Sequence, residues 1–349
     1  MGVRLDQCWH TRWPTLRERD GEEGAYIAGH SFDHGRPALI AHLKGREKAL
    51  EAFGWTGRHG EWIALACLNG GVFTRLQWTS FLGCHPEKVR RAVRRLVAQG
   101  LAVEEAPAGV RKIGRVCRIQ ARGVFRALGA EEFHRRRRIT SRDVLMRRLL
   151  ALDYVLDHPR LPWLPTEAEK VAAFEALGIK RRVLPRRTYR GATGNIQRHF
   201  HLGLPVTLDA KRAVFVHVDP GHETAKGLRA WGAAHRELWA MLRDRERKIE
   251  IVAVGRGSKE TTRADTVLGN WARGLRSSDY DAEIDREIEW IKDVLRSGDE
   301  SLIREVCGDI RGGLVRLAKL QNRALRESGR GLLHRVSTWR SERLRRKLF

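Results

Sequence analysis

Two nearly continuous apolar runs, AVFVHVD at 213–219 and IEIVAV at 249–254, flank a helical stretch at 223–243. Nothing else in the chain restricts its folding as strongly. A strand that is apolar at successive positions must be covered on both faces, which is the condition of a parallel sheet under helices. Strand, helix, strand with a hydrophobic crossover predicts a right-handed βαβ unit and a parallel pair. A shorter strand at 206–209 lies beside the first run. This part of the chain, 201–275, is therefore expected to be α/β, in a protein of mixed α+β class.

An orderly pattern also runs from 58 to 130. The segment EWIALACL at 61–68 has apolar residues at helical spacing and stops at Asn69-Gly70-Gly71. Thr74 can cap a second helix at 75–82, which ends at Gly83. Pro86 suits the first turn of a third helix and Gly100 its end. In that third helix Val89, Val93, Leu96 and Val97 share an arc about 100° wide, the signature of a core-facing stripe. Lys88, Arg90, Arg91, Arg94 and Arg95 fill the opposite arc. A solvated helix face normally mixes acids with bases at i,i+4, and here Glu87 is the one acid among the five cations. Five like charges need an anionic partner. Beyond the helix come a strand at 101–105 (LAVEE), a turn at 106–109 (APAG), a basic stretch at 110–115 (VRKIGR), a strand at 116–120 (VCRIQ) and a helix from 121.

Composition points the same way. Of 349 residues, 67 are basic and 42 acidic, a formal charge of +25. Such a balance attracts polyanions, nucleic acid first and an anionic membrane surface second. Arginine makes up 54 of the 67 cations, and its fork suits phosphate and guanine, although a GC-rich genome produces the same excess. Residues 86–148 hold 18 of the cations against 6 acids. No run approaches the ~18 apolar residues of a membrane span, and five scattered cysteines without CxxC spacing fit a reducing compartment. A cytoplasmic, nucleoid-associated protein is expected, with no membrane partner.

The pieces VRRAVRRLVAQGLAVEE and GRVCRIQARGVFRALG resemble the recognition helix and wing of winged helix-turn-helix regulators in bacteria. The resemblance implies a double-stranded DNA-binding domain at 58–130, with the 86–99 helix in the major groove and the 106–115 hairpin on the backbone or minor groove. Arg90, Arg91, Arg94 and Arg95 would then contact bases and phosphates. Lys88, Arg111, Lys112 and Arg115 would clamp the backbone, and Arg135, Arg136, Arg137 and Arg138 would extend the patch. Further on, LDAKRAVFVHVDPGHETAKGL and LWAMLRDRERKIEIVAVGR resemble the replication-relaxation family of bacterial plasmids and integrative mobile elements. That likeness implies a restriction-endonuclease-like, degenerate α/β domain after the winged helix, and a role in replication, transfer or transcriptional control.

The residues leave three other chemistries open. A nuclease of that fold needs an acid on one strand and an acid-x-Lys on the next to hold Mg²⁺. Asp209 fits the first, but the second reads His217-Val218-Asp219. Asp209 and Asp219 are thus the candidates for a metal-dependent alternative, and no cofactor is expected otherwise. His199 and His201, two apart on a strand, would face one side and with His217 and His222 could assemble a metal site. The stretch 180–190 (KRRVLPRRTYR) is a second basic segment in which Tyr189 can stack on a base, or a charged loop. An RNA- or protein-binding adaptor remains a third function.

Residues 1–57 form a poorly defined segment with a short helix at 38–53, in which Trp9, Trp13, Phe32 and Trp55 are candidates to pack back on a domain. Residues 131–200 make a helical basic connector. Residues 276–349 are read as helical throughout, broken at Gly312-Gly313, with a last basic helix at 332–349; a homodimer or a protein partner could use them.

Overall fold

A computed structural model describes residues 43–105, 115–135, 141–191, 194–221, 224–272, 278–328 and 333–344. A 3₁₀ turn over Arg46–Phe53 leads into α1 (Gly57–Leu68), β1 (Val72–Thr74), α2 (Arg75–Leu82), α3 (Pro86–Ala98), β2 (Ala102–Glu105) and β3 (Val116–Ile119). The three strands form an antiparallel sheet in the order β1-β3-β2. Strand β1 is an addition to the sequence reading, because three residues carry no periodicity. Its Phe73 joins Trp62, Trp78 and Phe81 in one aromatic cluster. Trp55 packs against Trp78, while Trp9, Trp13 and Phe32 lie outside the described residues. Thr74 caps α2 through a capping box with Gln77.

Then follow α4 (Arg122–Ala127), α5 (Glu131–Arg135), α6 (Arg142–Asp157), α7 (Glu167–Ala176), and a two-stranded antiparallel ribbon of β4 (Arg186–Gly191) and β5 (Gly194–His199). Thr166 and Glu169 form the capping box at the start of α7. Helix α6 packs on β1 and also on β7 and β8, so both sheets share one apolar core.

The larger sheet runs β6 (Val206–Leu208), β7 (Arg212–Val218), β8 (Lys248–Gly255) and β9 (Arg335–Arg340). Strand β6 is antiparallel to β7, whereas β7, β8 and β9 are parallel. The crossover is α8 (Ala225–Arg243), and α9 (Ser258–Ala272) packs on β8 and β9. The parallel pair and its long crossover helix agree with the apolar runs.

Strand β9 corrects the sequence reading, which continues helix to the end of the chain. Strand β8 is apolar on both faces and its second edge would otherwise leave N–H and C=O groups buried without partners. The 335–340 stretch supplies them, with His334 N–H donating to Ile249 O at 2.8 Å and Ser341 N–H to Gly255 O at 3.2 Å. Local helical tendency yields to that pairing.

Before β9, helices α10 (Ser278–Ser297), α11 (Glu300–Cys307) and α12 (Ile310–Ser328) enclose a small separate cluster of Ile284, Ile288, Ile291 and Leu320. The break falls at Gly308, with φ of 80°, and not at Gly312-Gly313. Those two glycines start α12 because α10 and α11 come too close for a side chain. A Cβ on Gly313 would lie 2.8 Å from Leu295 and 3.1 Å from the Cys307 sulfur.

Candidate nucleic-acid interface

Helix α3 starts at Pro86, behind His85, whose Nδ1 accepts the Glu87 N–H. Val89, Ala92, Val93 and Leu96 are buried, whereas Val97, expected in the core stripe, is 41% exposed. All five cations of the helix are exposed, but they are not equivalent. Arg90 lies across Glu87, with Nε to carboxylate at 2.6 Å. Its hydrogen bond holds the Glu87 carboxyl below the usual carboxylate range. The pair is solvent-exposed and contributes little to stability.

Arg95 has a structural role as well. Its guanidinium stands 4.7 Å from the Trp55 ring centroid and donates to Gly54 O at 2.8 Å. Trp55 Nε1 in turn donates to Gln99 Oε1 at 2.8 Å. Arg95 therefore fastens the 43–55 segment to α3, and sequence spacing alone cannot separate that role from a phosphate contact. Arg95→Ala should lower stability by about 1 kcal/mol, the sum of an exposed cation–π contact and one hydrogen bond. It should leave any DNA sequence preference intact, as a selection experiment on the variant would show.

Lys88, Arg91 and Arg94 form no ion pair or hydrogen bond among the described residues. With 100° per residue, Arg91 and Arg94 sit about 30° on either side of the direction opposite the buried stripe. They are the most projecting cations of the helix.

The hairpin reading divides. Arg115 pairs with Glu104 at 3.6 Å and is shared with Arg75 on the same carboxylate, while Arg118 pairs with Glu105. Arg115 therefore acts at the base of the hairpin as part of an ion-pair group rather than as an unencumbered clamp. Arg111 and Lys112, like Arg136, Arg137 and Arg138, lie outside the described residues. For Arg135 the backbone ends α5, and its side chain also lies outside them.

The metal candidates do not assemble. Asp209 closes the turn into β7, and its carboxylate accepts from Lys211 N–H, Arg212 N–H and Arg212 Nε. Burial pushes this carboxyl up, but those donors outweigh it and hold it below its ordinary range. Asp219 follows the far end of the seven-residue β7, so the two carboxylates are separated by about 20 Å at 3.3 Å per residue. They cannot share an ion. Asp219 instead accepts Gly221 N–H at 2.7 Å and meets Arg263 at 3.2 Å.

His199 and His201 do not share a strand face, because Phe200 turns the chain with φ of 47° at the end of β5. His199 is buried near Glu167, and burial lowers its pKa. His201 lines a cavity of about 270 Å³ with Phe200, Trp231 and His235. His217 packs edge-on to Trp231, ring centroids 5.1 Å apart, and His222 lies outside the described residues. Among the described residues no three His, Cys, Asp or Glu side chains are placed to hold a metal ion. Likewise, no helix among them is long and apolar enough to cross a membrane.

Two features escaped the sequence reading. One is the β4–β5 ribbon, whose signal was two Arg/Thr/Tyr/Ile-containing runs around a Gly-flanked turn. The other is a buried polar group around Asp153 and Arg343, which no local pattern announces. No protein-family model, curated protein or solved structure matches this chain.

Proposed function

We propose that the chain is a sequence-specific duplex-DNA-binding protein that uses residues 58–130 as a winged helix-turn-helix unit, with α3 as recognition helix. The observation that carries this reading is the pair Arg91 and Arg94, projecting from α3 with no ion pair or hydrogen bond among the described residues. The helix–strand–helix–helix–hairpin order and the β1-β3-β2 sheet are the arrangement such a unit requires. The apolar face of α3 is held by α2 and β2, so the basic face is carried on a rigid element, as groove reading demands.

The resemblance to the replication-relaxation family extends the proposal to mobile-element DNA, in replication, transfer or transcriptional control. The α/β part then acts as scaffold, and the separation of Asp209 from Asp219 speaks against the nuclease alternative. Exposed Ile310, Leu314 and Val315 on α12 are the face where a second copy or a protein partner would pack.

Selection from random duplexes at near-physiological salt, with Mg²⁺ present and the DNA inspected for nicks, tests the reading. An enriched site on intact DNA is expected. Each bidentate Arg–guanine contact discriminates by about 1–3 kcal/mol, so Arg91→Ala with Arg94→Ala should lower site preference by roughly two to four orders of magnitude. Unchanged preference in a folded double variant refutes the role of α3.

A further inference from the structure

The β4–β5 ribbon stands free of the two sheets, and residues 186–190 and 194–197 are all exposed. A two-stranded ribbon alone is marginal in water, so its side chains must explain both its persistence and its exposure. Directly opposed residues of an antiparallel pair share a face, and faces alternate along the strand. The register therefore sorts the ribbon into two unlike sides.

One side carries Tyr189 opposite Ile196, 41% and 46% exposed. Aromatic–β-branched cross-strand pairs stabilise hairpins. Arg187 reinforces this one, its guanidinium 5.5 Å from the Tyr189 ring centroid. This side accounts for the ribbon's stiffness. The other side carries Thr188 opposite Gln197 and Arg190 opposite Asn195. None of these four forms a side-chain hydrogen bond or ion pair among the described residues.

The ribbon is also strongly cationic. No Asp or Glu occurs between Glu175 and Asp209, while seven Lys and Arg do. Arg181 is neutralised by Glu175 and Arg198 approaches Glu167 at 3.7 Å. Arg187 stands directly opposite Arg198, a like-charge pair that Glu167 offsets from the Arg198 side only. A merely solvated ribbon would place carboxylates opposite its arginines.

We infer that this ribbon is a second DNA-reading element, laid in a major groove with Thr188, Arg190, Asn195 and Gln197 toward the base edges and Arg186 and Arg187 toward phosphates. The inference rests on the duplex-DNA reading above. The chemistry fits: arginine matches guanine bidentately, asparagine and glutamine match adenine, and threonine suits either base or a thymine methyl. The groove, about 12 Å wide, admits a two-stranded ribbon. An acidic protein surface would use the arginines and leave the amides idle, and a membrane surface would need an apolar face larger than one Tyr–Ile pair.

The test repeats the selection with the full chain carrying R190A and N195A, and separately R186A and R187A, beside R91A with R94A. The wild-type site should have two parts. R190A with N195A should erase one part and keep the other, while the α3 variant does the reverse. R186A with R187A should leave the sequence unchanged and lower the slope of log K against log salt by about 1.8, at 0.9 per phosphate contact. Ribbon variants with the wild-type site and slope overturn the ribbon inference and leave the α3 reading standing. A site that survives the α3 changes but not the ribbon changes overturns the α3 reading instead. No duplex binding by the wild type overturns both. Loss confined to an RNA hairpin competitor, with duplex DNA unaffected, overturns the DNA assignment of the ribbon.

Discussion

Arg343→Ala is expected to destabilise the protein by about 3–5 kcal/mol, the range for removing one partner of a buried ion pair. Asp153, on α6, is fully buried. It meets Arg343 at 3.1 Å, accepts from the Ser341 hydroxyl, and lies 3.4 Å from Gln77 Nε2 on α2. Arg343 also reaches Asp157 at 2.6 Å and Ser80 at 2.9 Å. Six residues from three distant parts of the chain thus meet between α2, α6 and the segment after β9. Removing the guanidinium leaves a buried carboxylate with neutral donors only.

The effect has a pH signature. Burial pushes the Asp153 carboxyl above its ordinary pKa, and Arg343 is the first influence opposing that rise. Without Arg343 the folded pKa climbs further. A raised folded pKa gives stability that is present below the unfolded value of about 3.9 and lost as pH rises through the folded one. The difference between wild type and Arg343→Ala should therefore shrink toward acid. Asp153→Asn, neutral and of equal size, should cost less than Arg343→Ala, and adding Asp153→Asn to Arg343→Ala should recover part of the loss. Urea unfolding of the four proteins completes the cycle. A cost below 1 kcal/mol for Arg343→Ala, or strict additivity, contradicts the clamp.

Acid should loosen α8 from β7 through His235. Its ring is 6% exposed, packed among Phe215, Trp231 and Trp239, and its Nδ1 donates to Trp231 O at 2.7 Å. Burial lowers its pKa to about 3, and nearby His217, His201 and Lys170 further disfavour a proton there. A depressed folded pKa gives stability that is complete above the unfolded value of about 6.5 and lost as pH falls toward the folded one. At 1.36 kcal/mol per unit, the loss at pH 4 is about 3 kcal/mol. Urea midpoints measured from pH 8 to pH 4 should fall steeply in wild type and more gently in His235→Gln. Parallel curves for the two proteins would assign the acid sensitivity elsewhere.

Both predictions concern residues whose roles no local pattern carries. Arg343 reads in sequence as one cation in a basic terminal run, and His235 as one polar residue within an amphipathic helix. Arg95 belongs with its α3 neighbours by spacing, yet Trp55, far from it in sequence, claims it. Position 97 satisfies the helical stripe but lies at its margin, where the partner elements stop. Asp209 and Asp219 look adjacent along the chain because ten residues is a short interval, but the seven-residue strand β7 between them spans about 20 Å.

The chain's own pattern determined the elements whose periodicity is long or whose ends are capped. The parallel β7–β8 pair follows from apolar runs that only a doubly covered strand tolerates. The three helices before the hairpin follow from Thr74, Pro86 and the glycines at their ends, and the basic face of α3 follows from the separation of its two arcs. Tertiary structure alone decided what those surfaces meet. It made a strand of 335–340 because the buried edge of β8 needed hydrogen bonds, it joined Asp153 to Arg343 across 190 positions, and it separated the arginines that staple the fold from those left facing solvent. Local sequence encodes which groups a residue can offer. Which offer is taken up depends on neighbours that only folding brings within a few ångströms.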